Sequence, residues 1–199
     1  MILAAGKGTR MWPLTDNGPK PLLPLGGTSI IHRQIDQLSK IGVKEIHVLI
    51  GYQMKEISDC LWNGKELGVK IKYIVQEQQK GTGHAVLQAD GKIKGRFYCL
   101  NGDTVIDSSN LERMGSEQKK IVMMTTAVED GSKFGVVESK KERLVSITEK
   151  SISGKAMINA GMYIFNEKIF DAIKGVEKSV RGEYELTDAL QAISKDVRV

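Results

Sequence analysis

Over the first two thirds of the chain, short apolar runs alternate with segments of helical period, and this rhythm narrows the fold more than any other feature. Residues 46–50, 69–75, 97–100 and 121–128 read as buried strands, largely apolar and in several cases rich in β-branched side chains. Between them, 30–41, 53–62 and 82–89 carry apolar residues three and four apart, the spacing of amphipathic helices. Ser29 and Ser109 stand where helix N-caps are expected. Alternation of this kind predicts an α/β fold with a mixed, mostly parallel sheet, helices on both faces, and ligands at the C-terminal ends of the strands. After about residue 130 the pattern changes. Residues 134–138, 144–148 and 158–165 read as antiparallel strands, with a turn at Lys140-Lys141-Glu142.

The 199 residues are enough for one domain with a continuous core and no disulfide or structural metal. No linker, repeat or low-complexity segment interrupts them, so a single domain is expected, with halves of about 1–130 and 131–199. A content of 41% hydrophobic and 27% charged residues excludes disorder. The net charge of +5 comes from dispersed lysines without a block of five like charges. It suits anionic small substrates or a solvated surface, and nucleic acid is not expected as a partner. Cys60 and Cys99 lie far apart, outside any Cys-x-x-Cys pattern, which excludes a disulfide framework and a zinc site; Cys99 reads as a small core residue. No apolar stretch is long enough to span a bilayer and the N-terminus lacks the layout of a secretory signal, so a cytoplasmic protein without a membrane partner is expected.

Function is concentrated in residues 3–25. An apolar start, Ile2, Leu3, Ala4 and Ala5, reads as a short buried strand that runs into Gly6, Gly8, Thr9 and Arg10. Glycines there let the backbone bend and bring its N–H groups close to a ligand. Successive N–H groups form an anion-binding concavity, to which Arg10 adds a fixed, forked charge. Lys20 follows between Pro19 and Pro21, which restrict its backbone on both sides. Together these make a polyphosphate site. It is not a Walker loop, which needs four residues between its glycines and then Gly-Lys-Ser/Thr. Nor is it a dinucleotide fingerprint, which would want glycine where Met11 stands.

The whole string, Leu-Ala-Ala-Gly-Lys-Gly-Thr-Arg-Met-Trp-Pro-Leu-Thr-Asp-Asn-Gly-Pro-Lys-Pro-Leu-Leu-Pro-Leu, resembles the signature of the sugar-1-phosphate nucleotidylyltransferases. Shorter relatives that make CDP-linked or molybdenum-cofactor nucleotides share only its Gly-x-Gly-x-Arg-Met core. The resemblance implies a three-layer, Rossmann-like nucleotide-diphospho-sugar transferase fold, its first half binding nucleotide and its second half binding sugar. It implies as substrates an NTP and a sugar 1-phosphate, with Mg²⁺ as cofactor. The Gly-Thr-Gly-His-Ala turn and the Arg-Gly-Glu-Tyr-Glu-Leu-Thr-Asp stretch look most like microbial enzymes that use UTP or dTTP with glucose or N-acetylglucosamine 1-phosphate. A mannose-1-phosphate guanylyltransferase, or a regulatory subunit that keeps the fold and loses turnover, are the alternatives. Against family members both ends look cut, and the C-terminus stops as a new strand begins at Val197. Many relatives append a β-helix acyltransferase domain. An apolar edge left uncovered there would favour association, so a homo-oligomer is compatible with the sequence.

Carried over position by position, the resemblance gives Arg10, Lys20 and Asp103 catalytic roles, with Asp103 also the metal ligand. Nucleotide binding falls to Leu3, Ala4, Ala5, Gly6, Gly8 and Thr9 in the loop, and to Gln76, Gly81, Thr82 and Gly102 beyond it. The chemistry is consistent with this. A carboxamide such as Gln76 can accept the N3–H of uracil or thymine and donate to a carbonyl, and a small Gly81 leaves the base edge open to backbone groups. Thr82 equally reads as an N-cap, and His84 as an ordinary helix-start residue. Asn101-Gly102-Asp103 closes an apolar strand, the usual place for a magnesium anchor, whereas Asp107 reads as a solvated turn residue. Gly135, Glu149, Lys150 and Asn159 match the positions that line the sugar. Asn159 offers pairing in both directions.

Overall fold

Most of the apolar runs become strands within a residue or two of the positions expected. The computed structural model describes all of 1–199 except residues 17 and 150–152 and the side chain of Arg10. In chain order the elements are β1 (Ile2–Leu3), β2 (Pro24–Leu25), β3 (Thr28–Ser29), α1 (Ile30–Lys40), β4 (Glu45–Ile50), α2 (Met54–Leu61), β5 (Lys70–Val75), α3 (Thr82–Leu87) and β6 (Phe97–Asn101). There follow α4 (Ser108–Ser116), β7 (Ile121–Val128), β8 (Gly135–Lys140), β9 (Arg143–Glu149), β10 (Ala156–Phe165), α5 (Lys168–Lys174), α6 (Leu186–Ala192) and β11 (Val197–Arg198). The fold is mixed α/β. It groups into two compact units, Met1–Gln79 with Leu100–Ser116, and Lys80–Cys99 with Glu117–Val199. A single division near residue 130 does not describe this, because residues 80–99 and 117–130 pack with the later strands.

In the first unit every strand pair of the main ladder is parallel. β1 runs between β4 and β6, with Ile2 opposite Val48 and Leu100, and β5 flanks β4. Ile2, Val48, Leu49 and Leu100 are completely buried, which explains why these strands read as near-continuous apolar runs. Helix α1 buries Ile30, Ile31, Gln34, Ile35 and Leu38 and begins as expected, with the Ser29 hydroxyl accepting the His32 N–H at 3.4 Å. The other cap differs from expectation. α4 starts two residues earlier than a Ser109 cap would place it, and Asp107 caps it, its carboxylate accepting the Asn110 N–H at 3.1 Å and the Ser109 hydroxyl at 2.6 Å. Those bonds hold the Asp107 carboxyl below its ordinary range. Ala4 and Ala5 lie beyond the end of β1, although the Ala4 N–H still donates to Leu49 at 2.8 Å.

The second unit is mostly antiparallel. β10 pairs along β7 from Ala156 opposite Val128 to Ile164 opposite Val122, with a register shift between Asn159 and Tyr163. β11 adds to β7 in parallel and to β9 in antiparallel fashion, β9 pairs with β8, and β8 returns to β10 at Val136 opposite Ile158. The expected turn is present as a two-residue hairpin, with Lys141 and Glu142 both at positive φ. Phe97 packs edge-on to Phe165 at 6.1 Å and face-on to Phe170 at 6.0 Å. Cys99, completely buried, is the small core residue expected, and burial pushes its thiol up to about 12. Among the described residues no helix is long and apolar enough to cross a membrane.

Candidate active site

The loop after β1 is built by two glycines with different duties. Gly8 adopts the left-handed conformation (φ 67°) and begins a turn of 3-10 helix over Thr9–Met11, which includes the Arg10 backbone. A Cβ on Gly8 would stand 3.1 Å from both Lys20 Cβ and Thr15 Cγ2. Thr15 is buried, and its hydroxyl donates to the Gly8 carbonyl at 3.0 Å. Gly8 is thus required by the chain itself. Gly6 is not: it is exposed, it lacks a positive φ, and a Cβ there meets no atom within 4 Å. A ligand approaching the loop backbone is what would need a bare Cα at Gly6. Gly6→Ala is therefore expected to leave the melting temperature unchanged while weakening nucleotide binding about 10-fold, the effect of about 1.4 kcal/mol. Thermal unfolding and nucleotide titration of the same variant check both halves, and unaltered affinity would remove Gly6 from the site.

Lys20 opens a 3-10 turn over Lys20–Leu22, fixed by extended Pro19 before it and buried Pro21 within it. Its Nζ contacts Asp103 Oδ2, with the two side chains 25% and 41% exposed. Asp103 stands two residues beyond the end of β6. The turn beneath it is set by Gly102, whose N–H donates to Leu3 O at 2.9 Å. A Cβ on Gly102 would be 2.6 Å from that same carbonyl and 3.1 Å from Pro21 Cγ. Gly102 therefore admits β1 and the Pro-Lys-Pro segment, a structural reason for glycine beside the expected one of ligand access. The glycine loop and Lys20, close in sequence, thus meet Asp103, 83 residues further on, at the C-terminal ends of the parallel strands β1 and β6.

Gln76 extends β5, its N–H donating to Ile50 at 2.8 Å, and it is buried. Three supporting residues escaped the sequence reading besides Thr15. Gln79 donates its Nε2 to the Ala5 carbonyl at 2.7 Å, which anchors the start of the loop. Gln34 and Gln37 of α1 hold the segment around Asp103. A buried carboxamide in an apolar helix face is the signal that would have found Gln34.

In the second unit, Gly81 (φ 100°) precedes α3 and its missing Cβ is filled by protein rather than left open. A Cβ there would be 2.5 Å from Tyr184 O. The two segments are joined by backbone bonds of 2.8 Å from Tyr184 N–H to Lys80 O and from Gly83 N–H to Tyr184 O. Thr82 does not cap its own helix; its hydroxyl accepts the Leu186 N–H at 3.1 Å, at the start of α6. The Gly-Thr-Gly turn and the Glu-Tyr-Glu-Leu-Thr-Asp stretch are thus one assembly.

Gly135 on β8 stands opposite Glu149 on β9, and a Cβ there would be 3.1 Å from the Glu149 carboxylate. Small size at 135 leaves that carboxylate room. Asn159 sits at the bulge of β10, where its Oδ1 accepts the Gly161 N–H at 3.0 Å and the Tyr163 hydroxyl at 2.9 Å, while its Nδ2 donates to that hydroxyl at 2.7 Å. Burial pushes the Tyr163 phenol up, so it stays a donor. Pairing in both directions is therefore reduced, since Asn159 has one free N–H left to offer a ligand. Lys150 lies outside the described residues.

Among the described residues no three His, Cys, Asp or Glu side chains gather as a metal-binding group. Asp103 presents a hard, partly exposed carboxylate beside the loop, in contact with Lys20. That donor set fits Mg²⁺, which is often held by one carboxylate with waters and substrate phosphates, and does not fit a cation needing a full protein cage.

The nucleotidyl transferase family model matches residues 1–199. A bifunctional protein GlmU of Methanococcus aeolicus is 39% identical over 98% of this chain, which spans 47% of that relative's length. The chain thus covers about half of the GlmU relatives it matches. A UTP–glucose-1-phosphate uridylyltransferase, AglF of Haloferax volcanii, is 31% identical over the whole chain and 84% of its own length. Among solved structures, a Bacillus anthracis protein assigned as a glucose-1-phosphate thymidylyltransferase superposes with a TM-score of 0.87 at 26% identity, over 99% of this chain and 83% of its own. Sequence, fold and loop agree, and the chain belongs to the nucleotidyl transferase family.

Proposed function

We propose that the protein joins a sugar 1-phosphate to a nucleoside triphosphate, releasing pyrophosphate, with UTP or dTTP and glucose or N-acetylglucosamine 1-phosphate as the substrates. The observation that carries this reading is the contact between Lys20 and Asp103 beside the glycine loop. A cation and an anion held there provide one group for a phosphate and one for a phosphate-bound metal. A sugar-phosphate oxygen attacks the α-phosphorus, and the bond from that phosphorus to the bridging oxygen breaks, its electrons leaving with pyrophosphate. No enzyme nucleophile is needed, so the residues act by position and charge. The loop N–H groups seat the triphosphate and Arg10 neutralises the departing pyrophosphate. Lys20 exchanges its carboxylate partner for phosphate oxygens and draws the two substrates together. Asp103 would hold Mg²⁺, which supplies charge neutralisation at the phosphate oxygens.

Gln76 suits a pyrimidine edge, and the AglF relative, by name a UTP–glucose-1-phosphate uridylyltransferase, supports UTP with glucose 1-phosphate. Pyrophosphate release measured with each common NTP against glucose, N-acetylglucosamine and mannose 1-phosphate tests this. On the base side UTP and dTTP should differ by no more than about 10- to 200-fold, since a methyl in an apolar pocket is worth about 1–3 kcal/mol. A clear preference for GTP would overturn the base assignment, and no release with any pair would overturn the reaction.

A further inference from the structure

Gln34 is the one polar residue on the buried face of α1, among Ile30, Ile31, Ile35 and Leu38, and it is completely inaccessible. A carboxamide in such a place is costly unless it is hydrogen-bonded. Its Nε2 donates to the Asn101 and Thr104 carbonyls, both at 2.7 Å. These carbonyls bracket Gly102 and Asp103. Within the turn, Thr104 N–H donates to Asn101 O at 3.1 Å. The amide orientation is dictated chemically, because turned over its oxygen would face two carbonyl oxygens. Its Oε1 is buried with no hydrogen-bond partner among the described residues. The oxygen thus gives the core no reason to keep glutamine at this position, and the two donors do. One helical turn on, Gln37 Oε1 accepts the Ser108 N–H at 2.8 Å, beyond Asp103 in the chain.

We infer that α1 positions the Asp103 carboxylate through Gln34, assisted by Gln37, and so sets the affinity of the site for a divalent cation with nucleotide. From the opposite side the turn is held by the bond from Gly102 to Leu3. The carboxylate itself is partly exposed, so its place depends on the backbone that carries it. Gln34 is a positioning residue and does not reach the ligand. The inference rests on the reading of Asp103 as the metal ligand, and its test separates the two.

Mn²⁺ serves as the probe, its binding in the presence of UTP followed by electron paramagnetic resonance, for the wild type, Gln34→Met, Asp103→Asn and the double variant. Methionine keeps the volume and removes both donors. Gln34→Met is expected to weaken Mn²⁺ binding about 10-fold, with UTP affinity in the absence of metal unchanged. Asp103→Asn should weaken Mn²⁺ binding more, and adding Gln34→Met to it should have no further effect, because the glutamine acts through that carboxylate. Should Gln34→Met fail to fold, Gln37→Ala, at a half-buried position, takes its place with a smaller loss of the same sign. If Asp103→Asn weakens Mn²⁺ binding and the glutamine variant does not, the positioning role is overturned while the metal reading stands. If Asp103→Asn leaves Mn²⁺ binding intact, both fall. A loss in the double variant equal to the sum of the single losses would make Gln34 independent of Asp103 and overturn the inference.

Discussion

Lys20→Ala is expected to lower turnover by about 10²- to 10³-fold, the usual cost of removing one preorganised donor at a developing charge. Stability should hardly change. The Lys20–Asp103 pair is partly exposed, and pairs of that kind contribute about 0–1 kcal/mol, which in a chain of this length moves the melting temperature by at most about 4 °C. The backbone under Lys20 is fixed by Pro19 and Pro21 rather than by the ammonium, so the 3-10 turn should survive. The lost group is also the counter-ion of Asp103. An unpartnered carboxylate attracts a cation, so divalent-ion binding should stay the same or strengthen while turnover falls. Steady-state pyrophosphate release beside a melting curve checks both quantities. Near-normal kcat would remove Lys20 from the mechanism. A collapse of stability would show that the pair serves the fold.

The parallel part of the fold was legible because burial on both faces writes strands such as β4 as near-continuous apolar runs, interrupted there only by His47 after the exposed Glu45. The hairpin of β8 and β9 was legible from its turn. The division into units was not, because the chain crosses between them three times and no break in composition marks where it does so. Caps were read half correctly. Ser29 behaves as a serine before an apolar helix should, whereas at α4 two candidate caps lie two residues apart, and the ionised Asp107 is the stronger acceptor. In the candidate site, the glycine loop and Lys20 were expected from residue type and spacing and Asp103 from its strand-end position and the family resemblance, and the structure brings Lys20 and Asp103 into contact. Gln34 and Gln79 were missed because their work is tertiary: each reaches a carbonyl 67 to 74 residues away, and although a glutamine on the apolar face of α1 marks Gln34 as unusual, no local pattern names its partner.

The largest stability effect is expected at Gly81. With φ 100° and ψ 173° its backbone lies in a region that is essentially restricted to glycine, which costs an alanine about 1–3 kcal/mol. The added Cβ would also meet Tyr184 O at 2.5 Å and Tyr184 N at 2.9 Å, backbone atoms that cannot move aside as a side-chain end can. Overpacking of that kind adds about 1–3 kcal/mol. Because the strained φ and the clash relax together, Gly81→Ala should cost about 2–4 kcal/mol in all, a fall in melting temperature of roughly 5–15 °C. The damage should spread along the seam, through the bonds from Gly83 to Tyr184 and from Leu186 to Thr82. Gly83→Ala is the control. Its Cβ would meet Tyr184 O at 2.9 Å without a positive φ, so the loss should be smaller. Differential scanning calorimetry of both variants, with nucleotide titration at a temperature where each is folded, distinguishes two origins for the glycine. A destabilised protein with near-normal affinity would mean that Gly81 is there for Tyr184. Wild-type melting with lost nucleotide affinity would return it to the open base edge expected from the sequence, and would show that the Tyr184 segment yields.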